Sequence, residues 1–177
     1  MKKNIVLIGM PGVGKSTAGV ILAKVLGYQF VDVDLLIQRR ENRLLSRIIE
    51  EEGVEGFIEI ESRVNASLFV EDSVISTGGS VIYGDKAMKH LSEIGVIVYL
   101  KLPFEILEKR LKDIEGRGVL LKEGQTLAGL YEERLPLYEK YAHIIIDETG
   151  LGIEQTVRRI VEEYKRFSGV EISNGRQ

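Results

Sequence analysis

Four residues in one short stretch carry the first chemical signal. Gly9, Gly14, Lys15 and Ser16 lie in "IGMPGVGKST" (8–17) and satisfy the pattern GxxxxGK[ST]. Glycines at this spacing let backbone N–H groups converge on phosphate oxygens, and a helix starting at the lysine adds its positive end. Lys15 supplies a compact charge for the outer phosphates of a nucleotide, and the Ser16 hydroxyl suits a magnesium ion. Gly12, Val13, Gly14, Lys15, Ser16 and Thr17 are therefore the candidate nucleotide-binding loop. The plain alternative is a glycine-rich turn that binds nothing. The apolar run "NIVLI" before the stretch and the helix-like segment after it argue against that alternative.

Two acids follow in "FVDVD". Read as a strand end, Asp32 and Asp34 stand two apart and face the same side of a sheet. Carboxylates near a phosphate loop serve a magnesium ion and an acceptor hydroxyl; the alternative is a pair of solvated turn acids. "STGG" (76–79) ends another strand-like run, at the edge where open α/β sheets bind ligands. Gly78 and Gly79 there allow close approach to the backbone. The segment "DIEGRGVLLKEGQ" (113–125) has three glycines and little periodicity, which reads as a mobile loop carrying Arg117. A loop arginine of this kind stabilises charge on a transferred phosphoryl group, unless it is only a solvated charge. No segment resembles the guanine-reading NKxD, and the chain is short for an ATPase motor; its small size, the following "DVD" and an arginine in a late glycine-containing loop point to a small-molecule kinase.

Five apolar runs supply the frame for these residues: 4–8, 29–33, 73–77, 95–102 and 143–147. They are continuously apolar rather than alternating, as strands covered on both faces are. Between them lie segments with helical spacing, including Lys15–Leu26 closed by Gly27, "FEILEKRLKDI" after Pro103, and "GIEQTVRRIVEEYKRF". Strand–helix alternation predicts an α/β fold with a mostly parallel sheet and helices on both faces. The 177 residues suffice for a single domain, and the absence of cysteine excludes disulfides and thiolate metal sites. A net charge of −3 without a basic block disfavours nucleic acid. No apolar run is long enough to span a bilayer. The N-terminal lysines precede too short an apolar stretch, with no cleavage site, to read as a signal peptide. A cytoplasmic protein is expected, without a membrane or nucleic-acid partner.

From Lys3 to about Lys165 the chain resembles the shikimate kinase family. The likeness rests on "GMPGVGKST", "FVDVD", "FIEIE" followed by "VISTGG", "VYLKLPFEILEKRL", "GRGVLL" and "ERLPLYEKYA". It implies a P-loop kinase fold of three layers, with a five-stranded parallel sheet, a lid and a helical substrate-binding region. It implies ATP and Mg2+ as cofactors, a small hydroxylated metabolite as acceptor, a place in aromatic amino acid biosynthesis, and a monomer. By the same resemblance, residues 1–167 form the kinase domain and 168–177 a polar tail. Lys15, Asp34 and Arg117 are the implied catalytic residues. Arg110 and Arg117 join the loop in binding nucleotide, Asp34, Gly78, Gly79 and Arg134 bind the acceptor, and Ser16 and Asp32 serve the metal. Tyr138 and Tyr141 are expected to pack, and His90 and His143 carry no role.

The family pattern is broken in three places. FRxxE becomes Phe57, Ile58, Glu59, Ile60, Glu61, so Ile58 stands where a second carboxylate-binding arginine is expected. Arg63 lies about 140° round the helix and is no substitute, whereas Glu61 is placed to pair with Arg134. Ser80 replaces a glycine, at a cost of about 1 kcal/mol if the backbone there needs positive φ. "RGVLL" replaces RPLL in the lid. Three readings stay open: a shikimate kinase with a rearranged acceptor site, a kinase of another hydroxylated metabolite, and a nucleotide-binding regulatory protein.

Overall fold

The computed structural model describes residues 4–112 and 119–169. Its centre is β1 (Asn4–Ile8), buried at every position. A strand of contiguous Ile, Val and Leu needs apolar cover on both faces and neighbours on both edges. It has both neighbours: β3 (Ser73–Ser76) and β4 (Gly95–Lys101) flank it in parallel, with Val6 opposite Ile75 and Ile97. With β2 (Gln29–Asp32) and β5 (Ile144–Asp147) outside them, the order is β2-β3-β1-β4-β5, all parallel, with helices on both faces. Asn4 locks the register at one end. Its Nδ2 donates to Val70 O (2.8 Å) and Ile94 O (3.0 Å), and its Oδ1 accepts from Ser73 N (3.0 Å).

Seven α-helices fill the described connections. They are α1 (Lys15–Leu26), α2 (Val33–Glu41), α3 (Leu45–Ala66), α4 (Asp85–Ile94), α5 (Phe104–Lys112), α6 (Leu127–Tyr141) and α7 (Ile153–Ser168). Gly27 closes α1 in the left-handed conformation (φ 69°), as its position predicts. Val157, Ile160 and Tyr164 form the buried stripe of α7, and Gly169 (φ 65°) caps it. Ser168 is thus the last helical residue, and the rest of the expected tail, 170–177, lies outside the described residues. Among the described residues no helix is long and apolar enough to cross a membrane.

The expectation that all five runs are covered on both faces fails at the two edges. Ile145 in β5 is 48% exposed and β2 is only partly covered. An edge strand has one hydrogen-bonding neighbour, and a short apolar run does not reveal its place in the order. The predicted strand 29–33 is shorter than expected for another reason. Asp32, the last residue of β2, is also the N-cap of α2, accepting from Leu35 N (3.2 Å), so Val33 and Asp34 are already helical.

Candidate active site

The phosphate loop bridges the end of β1 and the start of α1. Gly9, Gly12 and Gly14 all take positive φ (145°, 82° and 109°), which side chains rarely tolerate. A Cβ on Gly9 would lie 2.6 Å from Leu100 O, so the loop also needs the space. At Gly14 a Cβ would meet nothing within 4 Å, because that residue lines an open cavity. The α1 N-terminus carries neither a side-chain cap nor an acid in its first turn, leaving its amides for an anion. Lys15 is buried, and its Nζ donates to Gly9 O (2.8 Å) and Met10 O (3.0 Å). Ser16 Oγ donates to Asp32 Oδ2 (3.0 Å) and lies 3.2 Å from Ser76 Oγ. This hard-oxygen pair suits Mg2+, which keeps several waters and phosphate oxygens and needs only one or two protein ligands.

The cavity beside the loop has a volume of about 270 Å3. Gly12, Gly14, Lys15 and Ser16 form one wall, and Asp34, Phe57, Glu61, Gly78, Gly79, Ser80 and Arg134 form much of the rest. Asp34 and Asp32 do not share a sheet face as the two-residue spacing suggests. The start of α2 separates their tasks, with Asp32 on Ser16 and Asp34 in the cavity wall. Gly78 and Gly79 are required by space. A Cβ on Gly78 would lie 1.9 Å from Glu61 Oε1 and 3.1 Å from Asp34 Oδ1; on Gly79 it would lie 2.7 Å from Pro11 Cδ and 3.0 Å from Arg134 Nη1.

Arg134 comes from α6 and is 1% exposed. Its Nε donates to Tyr83 Oη (3.3 Å), and the guanidinium lies 5.3 Å from that ring's centroid. Beside it Tyr138 donates to Gly79 O (2.6 Å) and stacks on Tyr99 at 5.0 Å. The expected pairing of Glu61 with Arg134 is not formed. Instead Ser80 Oγ donates to Glu61 Oε2, while Oε1 has no hydrogen-bond partner. Ser80 itself sits at φ −95°, so replacing glycine here strains nothing. Burial pushes the Glu61 carboxyl up to about 7, opposed by the Ser80 hydrogen bond and reinforced by the charge of Asp34. Ile58 is half-buried and is not among the described residues of the cavity wall. Arg63 points away and pairs with Glu41 at 2.8 Å.

On the nucleotide side, Arg110 Nη1 donates to Val13 O (3.0 Å), tying α5 to the loop. Arg117 and residues 113–118 of the expected lid lie outside the described residues. Further along it, Leu120 reaches the cavity wall. Glu148, one residue beyond β5, is an acid that motif spacing does not single out. Burial holds its carboxyl up at about 7, against a hydrogen bond with Thr156 and the charges of Arg110 and Lys15. Its position just past a parallel strand's carboxyl end is the signal that marks it. His90 Nε2 lies 2.7 Å from Leu68 O, and His143 Nδ1 accepts from Ile97 N (2.9 Å).

A phosphate loop, an acid and a buried guanidinium thus surround one cavity. A sequence model of the family described as shikimate kinase matches residues 11–165. This chain belongs to the shikimate kinase family. A shikimate kinase of Thermodesulfovibrio yellowstonii is 38% identical over 169 residues, covering 94% of this chain and 97% of the relative. One of Clostridium botulinum is 41% identical over 173 residues, covering 95% and 99%. The solved structure of shikimate kinase from Acinetobacter baumannii in complex with shikimate superposes with a TM-score of 0.83. It is 32% identical and each chain is covered to 93%. As a shikimate kinase family member, the chain is an ATP-dependent small-molecule kinase.

Proposed function

We propose that this protein transfers the γ-phosphoryl group of ATP to a hydroxyl of shikimate. The observation that carries the proposal is the single cavity in which Lys15, Asp34 and Arg134 meet beside the phosphate loop. The loop amides and Lys15 hold the donor phosphates. Arg134, buried and oriented by Tyr83, holds the acceptor's carboxylate. Asp34 accepts the proton of the attacking hydroxyl as that oxygen bonds to phosphorus and the bond to the ADP oxygen breaks. Arg117 is assigned the charge that builds on the phosphoryl oxygens, and Arg110 steadies the nucleotide side. Ser16 and Asp32 would hold Mg2+, which neutralises phosphate charge when bound. The catalytic unit in this reading is residues 1–167, acting as a cytoplasmic monomer.

The test is ATP-dependent formation of shikimate phosphate by the purified protein. Asp34→Asn should lower kcat by about a hundredfold or more, with nucleotide affinity retained, since the acid does not hold the donor. A protein that binds ATP with Mg2+ but transfers nothing to shikimate overturns the acceptor assignment.

A further inference from the structure

Glu61 is fully buried in the wall of the acceptor cavity. One of its oxygens accepts from Ser80, and the other, Oε1, lies against the backbone of Gly78 without a partner. The titratable and polar groups that act on it come from four other segments. They are Lys15 on α1, Asp34 on α2, Ser80 beyond β3, and Arg134 and Tyr138 on α6. Lys15 and Arg134 are the only cations among the described residues of the wall. A buried carboxylate with one unsatisfied oxygen beside Asp34 is far more costly than a neutral carboxyl in the same place.

We propose that Glu61 is a specificity-determining residue whose proton sets the affinity of the cavity for an anionic acceptor. Neutral, it leaves the charge of Arg134 available to the acceptor's carboxylate. Ionised, it offsets that charge and repels the carboxylate across a dry wall. This rests on the acceptor assigned above, and it adds a property of this chain's own residues: Ser80 and Glu61 form one unit. A carboxyl held near 7 by burial places the switch within the working pH range. Ser80 sets its position, because the hydroxyl's hydrogen bond favours the ionised form.

The test is the pH dependence of the shikimate KM between about pH 6 and pH 8.5. In the wild type it should rise about tenfold or more toward alkaline pH, with the ATP KM changing far less. Glu61→Gln keeps the shape without the charge and should hold the shikimate KM flat. Ser80→Ala removes the bond that favours ionisation, so the rise should persist but move to higher pH. That second variant keeps the test decisive if Glu61→Gln does not fold. Turnover with a flat shikimate KM in the wild type, or a rise that survives unchanged in Glu61→Gln, overturns this inference alone. No turnover of shikimate at any pH overturns the acceptor assignment and this inference with it.

Discussion

Ile58 and Glu61 stand three residues apart on α3, close enough for their side chains to meet. An arginine at 58 would give the orphaned Glu61 oxygen a charged partner and bring a second guanidinium to the edge of the cavity. Ile58→Arg should therefore lower the shikimate KM about tenfold, which corresponds to about 1.4 kcal/mol, and flatten its pH dependence. Steady-state kinetics at two pH values checks both effects, and an unchanged or raised KM would show that the pocket is built for a less acidic acceptor. That the phosphate loop, Asp34, the two glycines and Arg134 gather at one cavity was legible because each lies in an ordered motif. The Ser80–Glu61 contact was not, since it joins residues nineteen apart whose meeting depends on how α3 packs beside the short 3-10 helix Val81–Tyr83. The strain expected at Ser80 rested on a backbone angle that residue type alone does not report.

Elements bring the two halves of the site together. Gly79 follows β3 and is pressed between the Pro11 ring of the phosphate loop and the Arg134 guanidinium of α6. A methyl group there would push on both the rigid Pro11 ring and the Arg134 guanidinium. Gly79→Ala should raise the KM of both ATP and shikimate, unlike Glu61→Gln, and cost roughly 1–3 kcal/mol of stability by overpacking. Kinetics with each substrate varied in turn, together with a melting curve, decides it; an effect on one substrate alone would mean the contact is looser than drawn. The bounds of α1 were readable because a lysine after glycine starts it and a left-handed glycine ends it. Strand order was not, because pairings such as Val6 with both Ile75 and Ile97 are set by tertiary packing of runs that look alike. The turn of chain between Asp32 and Asp34 misled because alternation holds only while a strand continues, and the cap at Asp32 ends it.

At the scale of the whole molecule, the buried acids make stability depend on pH in an unusual direction. Glu61 and Glu148 are both pushed up to about 7 by burial, from an unperturbed 4.5. Between those values the folded chain keeps protons that the unfolded chain releases. Stability from these groups is therefore greatest below about pH 4.5, falls as pH rises to about 7, and is level above it. For Glu61 the shift corresponds to on the order of 3 kcal/mol. Other carboxyls run the other way: Asp147 and Glu51 are held below their usual range by hydrogen bonds, but both are exposed and their contribution is screened. Glu61→Gln should then be more stable than the wild type at pH 8, by roughly 5–10 °C in Tm for a domain of this size. Near pH 5, where the wild-type carboxyl is already neutral, the two proteins should melt within a few degrees of each other. Thermal melts of the nucleotide-free proteins at both pH values measure that difference. An equal gap at the two pH values would mean that Glu61 ionises as readily in the folded chain as in water, and that a water or a rearranged donor satisfies Oε1.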